Sequence, residues 1–305
     1  MKDLVIIGGG PAGLSAGIYG KRAGLDLVLL EKLSPGGQVI TSFEIENYPG
    51  FAEPVEGWKL MADMEAQARR LGVDIINGEV ISIAKEGGAF LVNTGEGVFK
   101  GRTVIIAAGA NNRKLNVPGE KELLGRGVSF CATCDGAFFK DREVLVAGGG
   151  DVALEEAFFL TRFASKVYIA HRRDQFRGAK ILQDRVFANN KIELLYNSEI
   201  ASINGTGNVE SVTIRNNKSG LNNNINVDGV FIFVGYVPNT AFLDSSLLNE
   251  CGEVVVDMRM RTLEKGLFAA GDIRSSSRRQ IVMAAADGAV AALESYDYVT
   301  ALNCT

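Results

Sequence analysis

The chain has 305 residues, 47% of them hydrophobic and 22% charged, with a formal net charge of −4 at pH 7. That length exceeds what a single core usually supports, so two domains are expected. The 32 Lys and Arg are scattered rather than striped, which argues against a nucleic-acid partner, and no apolar run reaches the roughly 18 residues of a membrane span. Four cysteines are too few for a secreted disulfide framework, and the N-terminus opens on a strand rather than a signal region, so a cytoplasmic protein is expected.

In chain order, Leu4–Ile7 reads as a strand that runs into Gly8-Gly9-Gly10-Pro11-Ala12-Gly13, then a helix, a strand at Leu27–Leu30 and Glu31. Residues 74–100 alternate in short strands with glycine turns, a predicted β-meander, and Thr103–Gly109 is a buried-strand pattern returning to the first sheet. Val144–Ala147 then leads into Gly148-Gly149-Gly150-Asp151-Val152-Ala153, a helix, a strand at Val167–Ala170 and His171. The offset is 140 at every landmark: 8 to 148, 10 to 150, 13 to 153 and 31 to 171. Residues 192–234 repeat the meander and return strand, with a polar hairpin around Asn216–Asn224. Leu267–Ala270 is a further buried strand before Gly271-Asp272, and Ile281–Ser295 is a helix of small residues.

The fold expected is α/β: two Rossmann-like nucleotide-binding domains, the second inserted into the first. The boundaries predicted are 1–113 with 241–305 for the outer domain and 114–240 for the inserted one. In each βαβ unit the first glycine permits the tight turn after the strand. The second lets backbone approach a pyrophosphate, and the third small residue lets helix and strand pack closely. The anion then sits at a helix N-terminus, where free N–H groups and the dipole favour it.

The residue ending each unit's second strand separates the two sites. Glu31 is an acceptor suited to ribose hydroxyls, as at the adenosine end of FAD or NAD. In its place the second unit has His171-Arg172-Arg173, with Arg177 following. These arginines suit a 2′-phosphate and favour NADPH over NADH; a solvated basic loop is the alternative. Cys131-Ala132-Thr133-Cys134 reads as a redox dithiol rather than half a zinc site, since there is no second C-x-x-C and His171 is the only histidine. Asp135, next to Cys134, is either the proton donor for thiol exchange or a turn residue before Gly136.

Over essentially its full length the chain resembles the bacterial-type low-molecular-weight thioredoxin reductases. The matching motifs are Gly8–Gly13, Gly36-Gly37-Gln38, Glu46-Asn47-Tyr48-Pro49-Gly50, Cys131–Gly136, Gly148–Glu156, His171–Arg173 with Arg177, and Gly271-Asp272 with Arg279-Gln280. The resemblance implies FAD against the first domain, with Gly8, Gly10, Pro11, Ala12 and Gly13 at its pyrophosphate and Glu31 at its ribose. Gly37, Gln38 and Asn47 would lie along the cofactor, Gly271 and Asp272 at the ribitol, and Arg279, Gln280 and Ile281 beside the flavin ring. It implies NADPH at Gly148, Gly150, Asp151, Ala153, His171, Arg172, Arg173 and Arg177.

The same resemblance implies that Cys134 lies nearer the flavin, that Cys131 attacks thioredoxin and that Asp135 donates the proton. It further implies a homodimer, and a nicotinamide domain that rotates on hinges near residues 111–118 and 236–242. Three features depart from the family pattern: Ala107-Ala108-Gly109 lacks a hydroxyl, Asp151-Val152 replaces a more polar pair, and the basic Arg274–Arg278 stretch has no assigned role. A peroxiredoxin or other thioredoxin-like acceptor, ferredoxin or NADH as donor, and a redox sensor that does not turn over are the competing readings.

Overall fold

A computed structural model describes residues 1–41 and 45–303; Cys304 lies outside the described residues. The chain divides into two compact units, unit 1 from Met1–Asn111 with Val237–Thr305, and unit 2 from Asn112–Tyr236. The sequence pattern places these boundaries after residues 113 and 240.

Unit 1 begins with β1 (Lys2–Ile7), α1 (Pro11–Arg22), β2 (Leu27–Glu31), α2 (Gly57–Arg70) and β3 (Asp74–Asn77), followed by β4 (Ser82–Glu86), β5 (Ala89–Asn93) and β6 (Val98–Ile106). After β7 (Ala110–Asn112), unit 2 runs through β8 (Val128–Ser129), α3 (Ala132–Asp135), β9 (Glu143–Gly148), α4 (Asp151–Leu160), β10 (Lys166–His171), α5 (Lys180–Phe187) and β11 (Ile192–Tyr196). It continues as β12 (Ser198–Asn204), β13 (Ser211–Asn216), β14 (Asn222–Asn226) and β15 (Gly229–Phe233). β16 (Tyr236–Pro238), which pairs with β7, returns the chain to unit 1, where β17 (Leu267–Ala269) and α6 (Ile281–Asn303) complete the fold.

In unit 1, β3-β2-β1-β6-β17 run parallel, and β6 is long enough to pair antiparallel with β5 along its first half. Unit 2 has a parallel sheet in the order β11-β10-β9-β15-β8 and a separate antiparallel sheet, β12-β13-β14. The predicted meander therefore needs one correction: Asp74–Asn77 pairs in parallel with β2 and belongs to the main sheet. The reason is α2, which carries the chain across the sheet so that the next strand enters in the same direction. The last helix also runs past Ser295 to Asn303, since Ala291, Ala292, Ser295 and Val299 continue one buried stripe with no glycine or proline to break it.

The strands read as continuous apolar runs because both faces are covered. Leu4, Ile6, Leu27, Leu29 and Ile105 pack beneath the helices, in one cluster with Leu14, Leu60 and Ala291. The alternate residues Val5, Ile7, Val28, Leu30 and Ile106 form a second cluster with Phe90 and Val92 of the meander. Unit 2 repeats this: Val144, Val146, Val167 and Ile169 lie under its helices, and Leu145, Ala147, Ala170 and Ile232 lie against the separate sheet.

Helices α1 and α6 touch backbone to backbone. A methyl group on Gly288 of α6 would lie 2.0 Å from the Ala12 carbonyl oxygen. Gly288→Ala is expected to destabilise the protein by about 2–3 kcal/mol despite the roughly 1 kcal/mol by which alanine favours helix. Gly97→Ala, whose methyl would meet nothing within 4 Å, is the control and should stay within about 0.5 kcal/mol in the same chemical denaturation series.

Candidate active site

The carboxyl ends of the parallel strands of unit 1 converge on one edge, where Ile7, Glu31, Ile106 and Ala269 finish their strands. At this edge Gly8 turns the chain with φ +104°, and a methyl there would lie 2.4 Å from the Ala107 carbonyl oxygen. A methyl on Gly13 would lie 1.8 Å from the Gly8 carbonyl oxygen, so α1 can start this close to β1 only without a side chain. Gly10 is the N-cap of α1, with open space where a side chain would be; no side chain caps the helix, and Pro11 stands in its first turn. The first-turn amides of α1, including Ala12 and Gly13, therefore have no helical acceptor and can bind a pyrophosphate.

Glu31 holds this turn from the side. Its carboxylate accepts from Gly9 N at 2.7 Å and Leu33 N at 2.9 Å, which leaves further lone pairs for ribose hydroxyls. The following loop folds back through Gly36 N donating to Gly9 O at 2.9 Å, and Gly37 (φ +59°) lies against Gly10. Gln38 Nε2 donates to Asn111 Oδ1 at 2.8 Å, Asn111 Nδ2 to Asn239 Oδ1 at 2.8 Å, and Asn239 Nδ2 to Ala108 O at 2.8 Å. Sequence reasoning singled out Gln38 but missed Asn111 and Asn239, which no motif marks. Asn47 Nδ2 donates to the Gln280 side-chain oxygen at 3.1 Å, bringing together two residues 233 apart in the chain.

Asp272 follows Gly271 at the end of β17. Burial pushes its carboxyl above the ordinary range, opposed by the Ser277 hydroxyl, which donates to Oδ1 at 3.0 Å, and by the Arg279 charge. Arg279 has φ +52° and its guanidinium lies 3.6 Å from Glu253; Ile281 opens α6. The basic stretch without an assigned role now has a partial explanation. Arg274 donates to both oxygens of Asp287, Nε to Oδ2 at 2.6 Å and Nη2 to Oδ1 at 2.9 Å, and Gly271 N donates to the same Oδ2 at 3.1 Å. This largely buried pair fastens the Gly271–Asp272 turn to α6. Nothing in the structure explains the charge of Arg278.

The second turn repeats the first with changed chemistry. Gly148 has φ +152°, Gly150 is the N-cap of α4, and again no side chain caps the helix. Ala153 takes the place of Gly13, its methyl lying in the space that a side chain on Gly148 would need. Arg177 N and Gly178 N donate to Gly149 O at 2.8 and 3.2 Å, as Gly36 N does to Gly9 O. Asp151, exposed at the start of α4, accepts from Ala179 N at 2.6 Å and so ties down the far end of the arginine loop.

His171 is buried beneath Gly149, its Nε2 lying 3.0 Å from the Gln175 carbonyl. Burial first, and the charges of Arg177, Arg173 and Arg172 as well, hold its pKa below the ordinary histidine value. Arg172, Arg173 and Arg177 are exposed, and among the described residues none has a carboxylate partner, whereas Asp174 pairs with Lys218. Three unpaired guanidinium groups beside an uncapped helix N-terminus fit a phosphorylated nucleotide.

The redox pair sits in unit 2. Cys131 and Cys134 are joined as a disulfide, their Cα atoms 5.3 Å apart, and Cys131 is the N-cap of α3. Cys134 N points at Cys131 Sγ, 3.2 Å away, with the Thr133 hydroxyl 3.4 Å from the same sulfur. Burial raises the Asp135 carboxyl from its ordinary value, and the Ser129 hydroxyl opposes that. Glu156 of α4 is a second half-buried acid in unit 2. Burial chiefly, and the Glu155 charge, raise its pKa, the Ala132 amide opposes them, and its Oε2 is enclosed without a partner among the described residues. Sequence reasoning missed Ser129, which only its burial marks, and reached Glu156 only as the end of the Gly148–Glu156 motif, with no role given to it.

Residues 2–288 match the family model described as pyridine nucleotide-disulphide oxidoreductase, and the chain belongs to that family. It is 46% identical over 303 residues to the thioredoxin reductase of Listeria innocua serovar 6a, covering 99% of this chain and 95% of the relative. It is 45% identical over 305 residues to that of Bacillus subtilis (strain 168), covering 99% and 96%. Among solved structures, the thioredoxin reductase from Streptococcus pyogenes MGAS5005 superposes with a TM-score of 0.94 at 44% identity, covering 99% of both chains.

Breaking the Arg274–Asp287 pair from one side should be costly. Arg274→Met leaves Asp287 buried and unpaired and is expected to lose about 3–5 kcal/mol of stability in urea titration. Arg274→Met combined with Asp287→Asn removes the stranded charge and should recover a good part of that loss.

Proposed function

We propose that this protein works as an NADPH-dependent flavoprotein thioredoxin reductase, cytoplasmic and homodimeric, with FAD held by unit 1 and NADPH by unit 2. The observation that carries this reading is the Cys131–Cys134 disulfide, flanked by half-buried Asp135, in the unit whose glycine turn bears three arginines without carboxylate partners among the described residues. The relatives' activity supports thioredoxin as the acceptor. Exposed Val282, Met283, Val290 and Leu293 on α6 support a second copy against that helix.

In unit 1, the α1 amides would hold the pyrophosphate of FAD, Glu31 the adenosine ribose and Asp272 the ribitol, with Gln38, Asn47, Arg279, Gln280 and Ile281 along the rest of the cofactor. Bound FAD would supply a two-electron carrier between nicotinamide and disulfide. In unit 2, Gly148, Gly150 and Ala153 shape the helix start for the NADPH pyrophosphate. Arg172, Arg173 and Arg177 would hold the 2′-phosphate, while His171 and Asp151 brace the loop that carries them.

Once the pair is reduced, the Cys134 amide favours the thiolate at Cys131, which attacks the thioredoxin disulfide and forms a mixed disulfide. Cys134 then attacks Cys131 Sγ and restores the internal disulfide. The two thioredoxin thiols take one proton from Cys134 and one from Asp135, whose carboxylate is reprotonated from solvent. Asp135 must hold its proton for this step, and burial helps it do so. The rate of thioredoxin reduction is therefore expected to fall as pH rises through the Asp135 pKa. Asp135→Asn should remove that limb and lower the rate by about 10²–10⁴.

The decisive experiment is anaerobic stopped-flow of flavin absorbance with NADPH, NADH and reduced ferredoxin in turn, followed by oxidised thioredoxin. Fast bleaching by NADPH and recovery by thioredoxin are expected, with the recovery, but not the bleaching, lost in Cys134→Ser. Replacing Arg172, Arg173 and Arg177 with Gln should raise the KM for NADPH far more than that for NADH. Fast bleaching by ferredoxin alone would overturn the choice of donor.

A further inference from the structure

Ser129 belongs to no nucleotide or cysteine motif, yet its hydroxyl is the junction between the acid and the attacking cysteine. It ends β8 and pairs in register with Phe231 of β15, so a buried sheet fixes its backbone. Its Oγ accepts from Cys131 N at 3.0 Å and donates to Asp135 Oδ2 at 2.5 Å, while the Cys131 carbonyl oxygen lies 3.3 Å away. The side chain is 5% exposed, so water does not compete freely for these contacts.

A serine hydroxyl has one proton to donate and two lone pairs to accept with. Against ionised Asp135, that proton goes to the nearer acceptor, the carboxylate. Against protonated Asp135, the acid can donate to Oγ, and the serine proton can turn to the Cys131 carbonyl. The bond from Cys131 N is kept in both states.

We propose that Ser129 is a positioning residue for the proton-transfer step, its hydroxyl tying the Asp135 carboxyl to the Cys131 backbone so that acid and attacking sulfur hold one geometry in both protonation states. The proposal rests on the reading of Asp135 as the donor to the departing thioredoxin thiolate. It adds no reactant, since Asp135 gives the proton and Ser129 only reorients its own. Two influences act on the acid, burial and the Ser129 hydroxyl, and they oppose one another. Glu156 of α4 interacts with the Ala132 amide rather than with Asp135, and the thiols of the reduced Cys131–Cys134 pair are the neighbouring groups that the infrared band of Asp135 keeps separate.

Removing the hydroxyl leaves burial unopposed, so the proton is held to higher pH. The test uses FAD-loaded, full-length protein as wild type, Ser129→Ala, Ser129→Thr and Asp135→Asn. Two quantities are followed against pH: the rate of thioredoxin-driven reoxidation by stopped-flow, and the Asp135 carboxyl stretching band by infrared difference spectroscopy, identified by its loss in Asp135→Asn. In Ser129→Ala both titrations should move to higher pH and the plateau rate should fall about fivefold, the equivalent of one hydrogen bond of about 1 kcal/mol. Ser129→Thr, which keeps the hydroxyl, should restore both.

If Ser129→Ala moves neither titration while Asp135→Asn abolishes the rate limb, Asp135 remains the donor and the role given to Ser129 is wrong. If Asp135→Asn leaves the rate limb intact, the reading of Asp135 falls and this inference falls with it.

Discussion

Everything at the proposed nucleotide sites depends on how closely a helix can approach the strand before it. In unit 1 the Gly8 carbonyl oxygen occupies the place where a Gly13 side chain would begin, and the Ala12 carbonyl does the same to Gly288 from the other side. The start of α1 is thus pressed between β1 and α6 by backbone contacts that leave no room for a methyl. That compression aims the uncapped amides at the strand edge and brings the Gly271–Asp272 turn alongside, where a methyl on Gly271 would lie 3.0 Å from the Ala12 methyl. Unit 2 relaxes the constraint by one methyl group, with Ala153 where unit 1 has Gly13.

Buried ionisable groups mark the places where function is set against stability. Asp135, Asp272 and Glu156 are carboxyls raised by burial, and His171 is an imidazole lowered by it. Each is an expense to the fold unless partnered. Asp287 has a full set of partners in Arg274 and Gly271, which makes it a structural anchor. Asp135 and Asp272 each have one neutral hydroxyl partner, Ser129 and Ser277, that holds the acid without fixing its charge. The weaker attachment suits the proton exchange proposed for Asp135, whereas Asp287, which clamps a turn, is held by the guanidinium.

Much of this was legible in the chain. The 140-residue offset exposed two copies of one supersecondary unit, because strand period, glycine spacing and strand-end residue must all recur for such a unit to fold. Cys131 and Cys134 declared themselves by spacing, and the arginines by their position after a strand. Asn111, Asn239, Ser129, Glu156 and the Arg274–Asp287 pair did not, since each matters through a neighbour brought near by folding. At Asp74–Asn77 the structure departs from the expected meander because four residues of a parallel edge strand look like four residues of a hairpin; the crossover helix before them decides the direction.

Local rules sufficed for what the sequence determined by itself: two glycine turns opening helices, the inserted order of the units, the paired cysteines and the different charge at the two strand ends. Those features are written in consecutive residues, where glycine freedom, hydrophobic period and thiol spacing act within a few positions. The tertiary structure alone decided which acid meets which hydroxyl, which arginine is spent on a buried carboxylate and which remain unpaired. Such pairings depend on distances between residues far apart in the chain, and only the packed sheets and helices set those distances.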